Sequence, residues 1–451
     1  MQLYSKLAES IATGQMKPSE QLPSKRALAT HLGISVNTVD GAYQMLLEEG
    51  YVTSRPRSGY YVADLPDPVM LSPRPVSTPP ALSPPKPDSS FQYDLGTSLV
   101  DPDVFPFVTW ARLTKHVLTR GRSLLVRGEG QGEADLRIAL TEHLREFRGV
   151  NARAEQVVIG AGMEYLLGIL AKLTGAESVY ALEDPGYIKV RHILENNGVC
   201  YQSVAMDTFG MRADLLRMSG AHVAYVTPTH QYPMGTTMPV GRRLELIAWA
   251  EEQPERYIVE DDYDSEFRYS GRPVPAMSGL TASERVIYIG TMSRSIAPSI
   301  RVAYMILPEA LLTVYHRRFG MYACTVSVFE QHTMAVFITG GHLTRHLNRM
   351  RTLCRKRRDA LMTALTEVFG ERVRIRGVNL GLHLLVTLSD GPHDTEMSQR
   401  AALMGVRLHA LSEFAASTST VFPGHTVVIG YAALNEKSVK DLVERLKTAW
   451  K

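Results

Sequence analysis

The chain has 451 residues, of which 45% are hydrophobic and 21% are charged. This composition excludes an intrinsically disordered chain, and the length predicts more than one folding unit. The 49 basic and 46 acidic side chains leave a formal net charge of only +3, so evidence for nucleic-acid binding must come from local motifs.

The cysteines and the N-terminal residues bear on the cellular compartment. Cys200, Cys324 and Cys354 form no CxxC pair and have no metal-ligand spacing, which predicts neither disulfides nor a metal site and fits a reducing cytoplasm. The first residues lack an apolar signal segment, and no 18-residue apolar run occurs, so secretion and membrane spanning are disfavoured.

A proline-rich segment divides the chain. Nine of the 25 prolines fall within residues 66–87. Because proline fixes φ and removes a backbone donor, the segment favours a semi-rigid polyproline II spacer, and a disordered tether is the alternative. We therefore predict a head at residues 1–65, a linker at residues 66–90 and a body at residues 91–451.

The head has the pattern of a winged helix. Apolar residues repeat at helical spacing over residues 3–11, and Ser24 and Ser35 are positioned to cap a second and a third helix. The face that the third helix would bury carries Val39, Ala42, Tyr43 and Leu46. β-Branched and aromatic runs at residues 51–55 and 60–62 then predict a hairpin. A helix-turn-helix followed by a hairpin is a winged helix.

A winged helix binds DNA with the N-terminal residues of its third helix in the major groove, while the wing reaches the backbone or the minor groove. The N-terminus of the second helix can bind a phosphate. These positions predict contacts with double-stranded DNA by Arg26, Ser35, Val36, Asn37, Thr38, Arg55, Arg57 and Ser58. A winged helix that binds another protein is the alternative that we disfavour.

These motifs resemble the N-terminal domain of the GntR family of bacterial transcription regulators over nearly all of residues 1–63. The resemblance is carried by LPSKRALATHLG, Ser-x-x-Thr-Val, Glu-Gly-Tyr and Ser-Gly-x-Tyr-Val, in that order. The chain departs from the family at Val36, where an arginine is frequent, and at Asp40, which falls at a position that can carry a basic group. Fewer cations on the third helix imply weaker phosphate attraction and an unusual operator or operator affinity.

The body alternates apolar strands with helical stretches. Apolar runs recur at residues 157–160, 179–182, 223–226, 257–259 and 286–289. Strands this apolar have no solvated face, so the pattern predicts an α/β fold with a doubly wound sheet. Ligands of such sheets bind at the carboxyl ends of the strands.

Distinctive residues follow several of these strands. The Gly160–Met163 turn can offer backbone N–H groups to a phosphate, and Tyr187 can either stack on a flat heterocycle or simply pack. Residues 260–264 carry four carboxylates, which need a cation, a metal or a protonated ring nitrogen unless they form a solvated acidic loop. Hydroxyls and guanidinium groups suggest an anion site at Ser293, Arg294, Ser295 and Arg301.

Together these segments resemble fold-type I aminotransferases, and with the head they resemble the MocR subgroup of GntR regulators. The resemblance spans residues 91–451 and is carried by EDPGY, THQYPMGTTMPVGRRLELIAWA, IVEDDYDSEFRYSGRPVPAM and YIGTMSRSIAPSIRVAYMILP. It implies a large doubly wound lobe, a small α+β lobe, pyridoxal 5′-phosphate as the bound group, a small-molecule effector and a homodimer.

The resemblance also implies roles for individual residues. Asp261 would pair with the protonated pyridine nitrogen, Tyr263 would hydrogen-bond the ring hydroxyl and Tyr187 would stack on the ring. Arg301 and the Gly160–Met163 turn would hold the phosphate. The expected cofactor contacts are Ala161, Gly162, Met163, Tyr187, Asp261, Tyr263, Ser293, Arg294 and Arg301, and no catalytic residue is assigned.

One position breaks the family pattern. The family motif reads Ser-Lys, and its lysine forms a Schiff base with the cofactor, whereas this chain has Ser293 followed by Arg294. A guanidinium stays protonated and is not a usable nucleophile. A native arginine excludes transamination and leaves the cofactor bound without a covalent bond, or replaced by another anionic effector. An engineered Lys-to-Arg change would instead imply a parent with a covalently bound cofactor.

Three further features remain open. Residues 127–130 read Arg-Gly-Glu-Gly where relatives tend to carry Tyr-Gly-Asp-Pro, and this second departure favours natural divergence over engineering. Lys189 could contact an effector carboxylate or phosphate, or be an ordinary surface lysine. The basic run at residues 345–358 predicts a solvated helix of the small lobe rather than a second DNA-binding patch.

The leading interpretation is a ligand-responsive, homodimeric and non-enzymatic transcription regulator. Ligand binding in the body would change how the heads are held, through the proline-rich segment, and so which spacing of DNA half-sites is bound. An aminotransferase with a DNA-binding head is the second interpretation. A regulator whose body only dimerises is the third.

Overall fold

The structure is a computed structural model that describes residues 2–65, 91–271, 274–416 and 424–451. The chain divides into two compact units, Met1–Pro87 and Asp88–Lys451, and each is described by itself. The predicted proline-rich linker lies outside the described residues.

The first unit contains three helices and a hairpin. Its elements are α1 (Gln2–Ala12), α2 (Lys25–Leu32), α3 (Val36–Glu48), β1 (Val52–Arg55) and β2 (Gly59–Val62). Both predicted helix caps are confirmed, since Ser24 Oγ accepts from the Ala27 N–H at 3.2 Å and Ser35 Oγ accepts from the Thr38 N–H at 3.1 Å. Each cap satisfies a backbone donor that the first turn of a helix leaves free.

The core of the first unit forms on the apolar face of α3. Val39, Ala42, Tyr43 and Leu46 are all buried, as the helical spacing predicts. The antiparallel pairing of β1 with β2 buries Val52 opposite Val62, and both side chains pack into this core. This is the predicted winged helix.

The second unit consists of a large lobe and a small lobe. It begins with β3 (Tyr93–Asp94), α4 (Phe107–Leu118) and α5 (Ala134–Arg148). The strands of the large lobe are β4 (Val157–Gly160), β5 (Val179–Asp184), β6 (Cys200–Asp207), β7 (Gly210–Met211), β8 (Val223–Val226), β9 (Tyr257–Asp262), β10 (Val286–Thr291) and β11 (Ala303–Ile306). Its helices are α6 (Met163–Thr174), α7 (Ile188–Asn196), α8 (Ala213–Met218), α9 (Val240–Glu251), α10 (Glu309–Phe319) and α11 (Val328–Thr339).

The strands of the large lobe form one mixed sheet in the order β4-β11-β10-β9-β8-β5-β6-β7. The strands from β10 to β6 run parallel, and β11 is antiparallel to both of its neighbours. Helices cover both faces of the sheet, and β4, β8, β9 and β10 are completely buried. The α/β fold class is therefore as predicted.

Alternation along β9 directs its acidic side chains to opposite faces of the sheet. Val259 packs on the face that α6 and α7 cover, and Ile258 packs on the other face with α9. Since side chains alternate with a period of two, Asp261 belongs to the first face and Asp262 to the second. Both carboxylates are residues of the strand itself, because β9 extends to Asp262 rather than ending at residue 259 as predicted.

The small lobe combines helices with an antiparallel sheet. Its elements are α12 (His342–Phe369), β12 (Val373–Arg376), β13 (His383–Leu388), α13 (Asp394–Leu403), β14 (Val406–Arg407), β15 (His409–Ala410), β16 (Thr426–Gly430) and α14 (Val439–Ala449). The sheet order is β12-β13-β16-β15, and β14 pairs with β3. One apolar core joins α12, α13 and α14 to this sheet, which is the expected α+β lobe.

The basic run at residues 345–358 lies within α12, and its prediction as a simple solvated helix is wrong in part. Arg351 donates to the Glu266 carbonyl at 2.6 Å, and Arg357 is buried and paired with Asp101. These guanidinium groups anchor the helix to neighbouring segments. An amphipathic pattern does not reveal such contacts, because they join residues far apart in the chain.

Two predictions about the whole chain can be compared with the structure. Cys200, Cys324 and Cys354 are free thiols. Within the described ranges, the helices lack the combination of length and apolar character that crossing a membrane requires.

Candidate functional site

The predicted DNA-contacting side chains are all exposed on the head. They lie at the first turn of α2 (Arg26), at the first turn of α3 (Ser35, Val36, Asn37 and Thr38) and around the hairpin turn (Arg55, Arg57 and Ser58). Exposed donors at these positions suit contacts with phosphates and base edges.

Tyr61 organises the wing, and the sequence analysis missed it. The guanidinium of Arg55 lies 4.3 Å from the Tyr61 ring centroid, and Ser58 Oγ lies 2.5 Å from the Tyr61 hydroxyl. The Ser58 carbonyl also accepts from the Gln21 side chain at 2.6 Å. These contacts join the turn of the hairpin to its second strand and to Gln21.

An ion pair between α2 and α3 also escaped the sequence analysis. Lys25, at the first position of α2, is paired with Asp40 of α3, and its ammonium lies 5.0 Å from the Tyr60 ring centroid. The hydrogen bond to Asp40 raises the pKa of Lys25. Asp40 therefore neutralises a cation close to the predicted phosphate contact of Arg26.

Replacing Asp40 by asparagine is expected to strengthen DNA binding, because Lys25 becomes available to a phosphate. The plot of log affinity against log salt concentration should steepen by about one unit, and affinity near ~0.1 M salt should rise roughly five- to tenfold. Fluorescence anisotropy over a salt series measures both quantities. Glu9→Gln, which removes one exposed charge from α1, is the matched control, and an equal change in both variants would contradict the prediction.

A cavity of about 160 Å³ lies in the second unit at the carboxyl ends of the parallel strands. Thr227 follows β8, Asp261 belongs to β9 and Thr291 ends β10, and all three line it. The predicted residues on its wall are Gly162, Met163, Tyr187, Asp261, Tyr263, Ser293, Arg294 and Arg301. Thus one wall brings together residues that are up to 139 positions apart in the sequence.

Two sequence expectations about this cavity need correction. Ala161 is not on the wall, and its N–H donates to Thr325 Oγ1 at 2.9 Å instead of remaining free for a phosphate. The Gly162 N–H donates to the Gly160 carbonyl at 2.8 Å. Ser295 is buried away from the cavity, where its hydroxyl contacts the Met292 sulfur at 3.8 Å.

The acidic segment that follows Val259 is buried, so the alternative of a solvated loop is wrong. The buried carboxylates are Glu260, Asp261, Asp262 and Asp264. A buried carboxylate needs a cation or a hydrogen-bond donor to compensate its charge.

Three of the four carboxylates have a charged or polar partner within the protein, away from the cavity. Asp262 accepts from the buried guanidinium of Arg148 at 2.7 Å. Asp264 lies 2.8 Å from His230 Nδ1, and Glu260 accepts from a backbone N–H at 2.8 Å. None of these three side chains lines the cavity.

Asp261 differs from these three carboxylates because it lines the cavity. It is 3% exposed, lines the cavity and accepts a hydrogen bond from the Tyr225 hydroxyl, but among the described residues it has no ion-pair partner. Its Oδ1, like one oxygen of each of the other three carboxylates, is buried without a hydrogen bond to the described residues. Burial raises the pKa of Asp261 to about 7. A protonated ring nitrogen would supply both the missing donor and the missing positive charge.

The opposite end of the cavity is built around the N-terminus of α6. Gly162 precedes this helix with φ of 94°, and a Cβ there would lie 2.5 Å from Arg301 Nη2. Arg301 donates to the Ala161 carbonyl at 2.9 Å and to Glu164 at 3.1 Å, and Lys189 pairs with Glu164 at 2.9 Å. Burial alone would raise the pKa of Glu164. The hydrogen bond from Lys189 and the charges of Lys189 and Arg301 outweigh burial and lower this pKa to about 2.

Aromatic residues form the remaining wall. Tyr187 and Tyr232 contact edge to face, with ring centroids 5.4 Å apart. The Tyr263 hydroxyl lies 3.1 Å from His230 Nδ1. Because a carboxylate can only accept, we assign a proton to His230 Nδ1, which donates it in a hydrogen bond to Asp264. The Tyr263 hydroxyl then does not donate to His230, and its hydrogen can be donated into the cavity.

Arg294 occupies the position where the family motif has its lysine. Its side chain is partly buried on the cavity wall, with Cζ 5.8 Å from the Tyr263 ring centroid. Burial raises the pKa of Tyr187, Asp261 and Tyr263, and the positive charge of Arg294 opposes the rise in each case. The guanidinium therefore faces the groups expected to surround a bound ring.

The fold and the two sites define a DNA-binding protein whose second unit is aminotransferase-like. A model of the bacterial regulatory proteins of the gntR family matches residues 1–62. The chain is 39% identical over 451 residues to the uncharacterized HTH-type transcriptional regulator YdeL of Bacillus subtilis, covering 100% of this chain and 96% of that protein.

Two further similarities complete the comparison. The chain is 32% identical over 464 residues to the probable rhizopine catabolism regulatory protein MocR of Rhizobium meliloti, covering 100% of this chain and 93% of that protein. Kynurenine aminotransferase of Pyrococcus horikoshii, solved with PMP, matches with a TM-score of 0.69 and 26% identity, covering 80% of this chain and 91% of that one. The chain belongs to the MocR subgroup of the gntR family of transcription regulators.

Proposed function

We propose that the cavity binds pyridoxal 5′-phosphate, or a related phosphopyridoxyl compound, without a covalent bond, and that this ligand changes DNA affinity. In this proposal the protein is a homodimeric regulator rather than an enzyme, and it acts in the cytoplasm, where bacterial DNA lies. The observation that carries the proposal is Asp261, a buried carboxylate on the cavity wall with no ion-pair partner among the described residues.

The residues on the wall fit such a ligand. Asp261 would hold the protonated pyridine nitrogen, Tyr187 would stack on the ring and Tyr263 would donate to the ring hydroxyl. Bound pyridoxal phosphate supplies a flat cationic ring, a phosphate dianion and an aldehyde. Arg301 and the N-terminus of α6 would hold the phosphate, since a helix N-terminus favours anions.

Arg294 argues against the aminotransferase interpretation. Transamination needs an amine that attacks the cofactor aldehyde and then transfers a proton, and a guanidinium does neither at neutral pH. The aminotransferase fold therefore serves here as a binding fold, in keeping with the regulators that this chain resembles along its whole length. A body that only dimerises would not need a buried carboxylate without an ion-pair partner on the wall of a cavity.

Measuring DNA affinity with and without ligand tests the proposal. Genomic fragments that the full-length protein binds are selected, and the affinity for the best fragment is measured by anisotropy with and without pyridoxal phosphate. A ligand that distinguishes two states of a regulator typically changes affinity by about 5- to 150-fold, and we expect a change in this range.

Asp261→Asn provides the control for this experiment. The asparagine keeps the size of the side chain and an acceptor for Tyr225, but it removes the charge that would hold the ring nitrogen. We expect this variant to bind the fragment normally and to lose the response to pyridoxal phosphate. Equal affinity of the wild type with and without the ligand would contradict the proposal.

A further inference from the structure

The guanidinium of Arg294 lacks an anionic partner among the described residues. Its Cζ lies 5.8 Å from the centroid of the Tyr263 ring. The other two cations on the wall, Arg301 and Lys189, both pair with Glu164. A guanidinium carries five N–H donors, and a partly buried one with no acceptor loses solvation without compensation.

The position of Arg294 separates its role from that of the phosphate end of the cavity. Arg301 and the N-terminus of α6 form that end, and Glu164 balances their charge. Arg294 instead contacts the ring of Tyr263, and its charge acts on Tyr187 and Asp261. The guanidinium therefore faces the part of the cavity where the ring and its non-phosphate substituents would lie.

The chemistry of arginine then specifies the ligand group. A lysine amine at this position would capture an aldehyde, whereas a guanidinium binds planar oxyanions through two parallel hydrogen bonds. A carboxylate is the planar oxyanion that complements this geometry. A ligand with a ring cation for Asp261 and a carboxylate for Arg294 would give both groups the oppositely charged partner that they lack among the described residues.

We propose that Arg294 binds a ligand carboxylate, so that the cavity selects phosphopyridoxyl derivatives of amino acids over the free cofactor. This inference rests on the proposed function, because it assumes that the cavity binds the phosphopyridoxyl group. It assigns to Arg294 a role in specificity in place of covalent capture. The regulator would then respond to an amino acid already joined to the pyridoxyl group.

Two matched ligands test this role. N-(5′-phosphopyridoxyl)-L-alanine and N-(5′-phosphopyridoxyl)ethylamine share the ring, the phosphate, the secondary amine and the methyl group, and they differ in the carboxylate alone. Calorimetric titration of the full-length wild type should show about 10- to 100-fold tighter binding of the alanine derivative, as a charge-assisted hydrogen bond would give. Arg294→Met should bind both ligands with similar affinity.

Lys189→Met is the control for loss of a positive charge elsewhere on the wall, and it should keep the preference for the alanine derivative. Thermal melting of each variant establishes that it is folded, and Arg294→Gln, which keeps a polar side chain, should also lose the preference. If Arg294→Met weakened both ligands by the same factor, the guanidinium would be contacting a group that both ligands share, such as the phosphate or the ring, and the proposal would be wrong.

The two ligands also distinguish failure of this inference from failure of the proposed function. If the wild type binds both ligands equally well, Arg294 does not read a carboxylate, although the cavity still binds phosphopyridoxyl compounds. If the wild type binds neither ligand, the proposed function fails as well. A preference that persists in Arg294→Met would assign the carboxylate contact to another residue and overturn the inference.

Discussion

Replacing Arg148 by methionine is expected to lower the free energy of unfolding by about 3–5 kcal/mol, because it leaves a buried carboxylate without its cation. Arg148 and Asp262 have side chains that are 5% and 1% exposed, and their charged atoms lie 2.7 Å apart. Coulombic attraction to Asp262 raises the pKa of Arg148 against the opposing effect of burial. The guanidinium of Arg148 therefore stays protonated.

The same guanidinium joins separate segments of the large lobe. Arg148 ends α5, and it donates to Thr229 at 2.7 Å and to the carbonyl of Val274. The Tyr288 hydroxyl donates to the same carboxylate oxygen of Asp262. Methionine cannot donate to any of these acceptors, so the substitution leaves several buried oxygens unsatisfied together with the charge.

Urea unfolding followed by circular dichroism measures this effect. Arg153→Met is the matched control, because it breaks an exposed arginine pair with Glu309 and should cost less than about 1 kcal/mol. Adding Asp262→Asn to Arg148→Met should recover part of the loss, since the carboxylate that lost its cation would then be gone. Equal stability of Arg148→Met and Arg153→Met would show that the buried pair contributes little.

Local patterns predicted the helices and strands because their causes lie within a few residues. Ser24 and Ser35 cap helices through hydrogen bonds that span three residues, and the apolar face of α3 follows from helical spacing. The turn at Gly160–Met163 was recognised for the same reason. Its pattern did not reveal that the Ala161 N–H is engaged, because the acceptor, Thr325, lies 164 residues away.

The partners of the buried carboxylates could not be predicted from the sequence for a similar reason. Arg148 is 114 residues from Asp262, and Tyr225 is 36 residues from Asp261. Alternation along β9 was sufficient to place these two carboxylates on opposite faces of the sheet. The sequence did not show which of the two carboxylates has a cation nearby, because the cation, Arg148, is brought to Asp262 by the packing of α5. Asp261 is the one left without an ion pair among the described residues.

Replacing Arg294 by lysine is expected to attach the cofactor covalently, with about one group bound per chain. The wild type is expected to have no covalently attached cofactor. The lysine amine can attack the aldehyde carbon of pyridoxal phosphate, so that a carbon–nitrogen double bond replaces the carbonyl and water leaves. Arg294 already lies on the cavity wall, facing Tyr263. A lysine there needs no rearrangement of the fold to reach a bound ring.

Lys189, the lysine that lines the described cavity wall, provides the control for this substitution. Lys189 also lines the cavity, but it is paired with Glu164 at 2.9 Å, and that hydrogen bond raises its pKa, so its amine is held protonated. Adding Lys189→Arg to Arg294→Lys should leave the covalent labelling unchanged. Labelling that disappears in the double variant would assign the reaction to Lys189 instead.

Mass spectrometry of the wild type and Arg294→Lys with pyridoxal phosphate tests the central claim, which is that the cavity keeps its ligand but has lost the covalent bond. Under native conditions both proteins should carry the ligand. After borohydride reduction and denaturation, Arg294→Lys should retain about one phosphopyridoxyl group per chain and the wild type none. A wild type that stays labelled to the same extent, or that carries no ligand under native conditions, would contradict the claim.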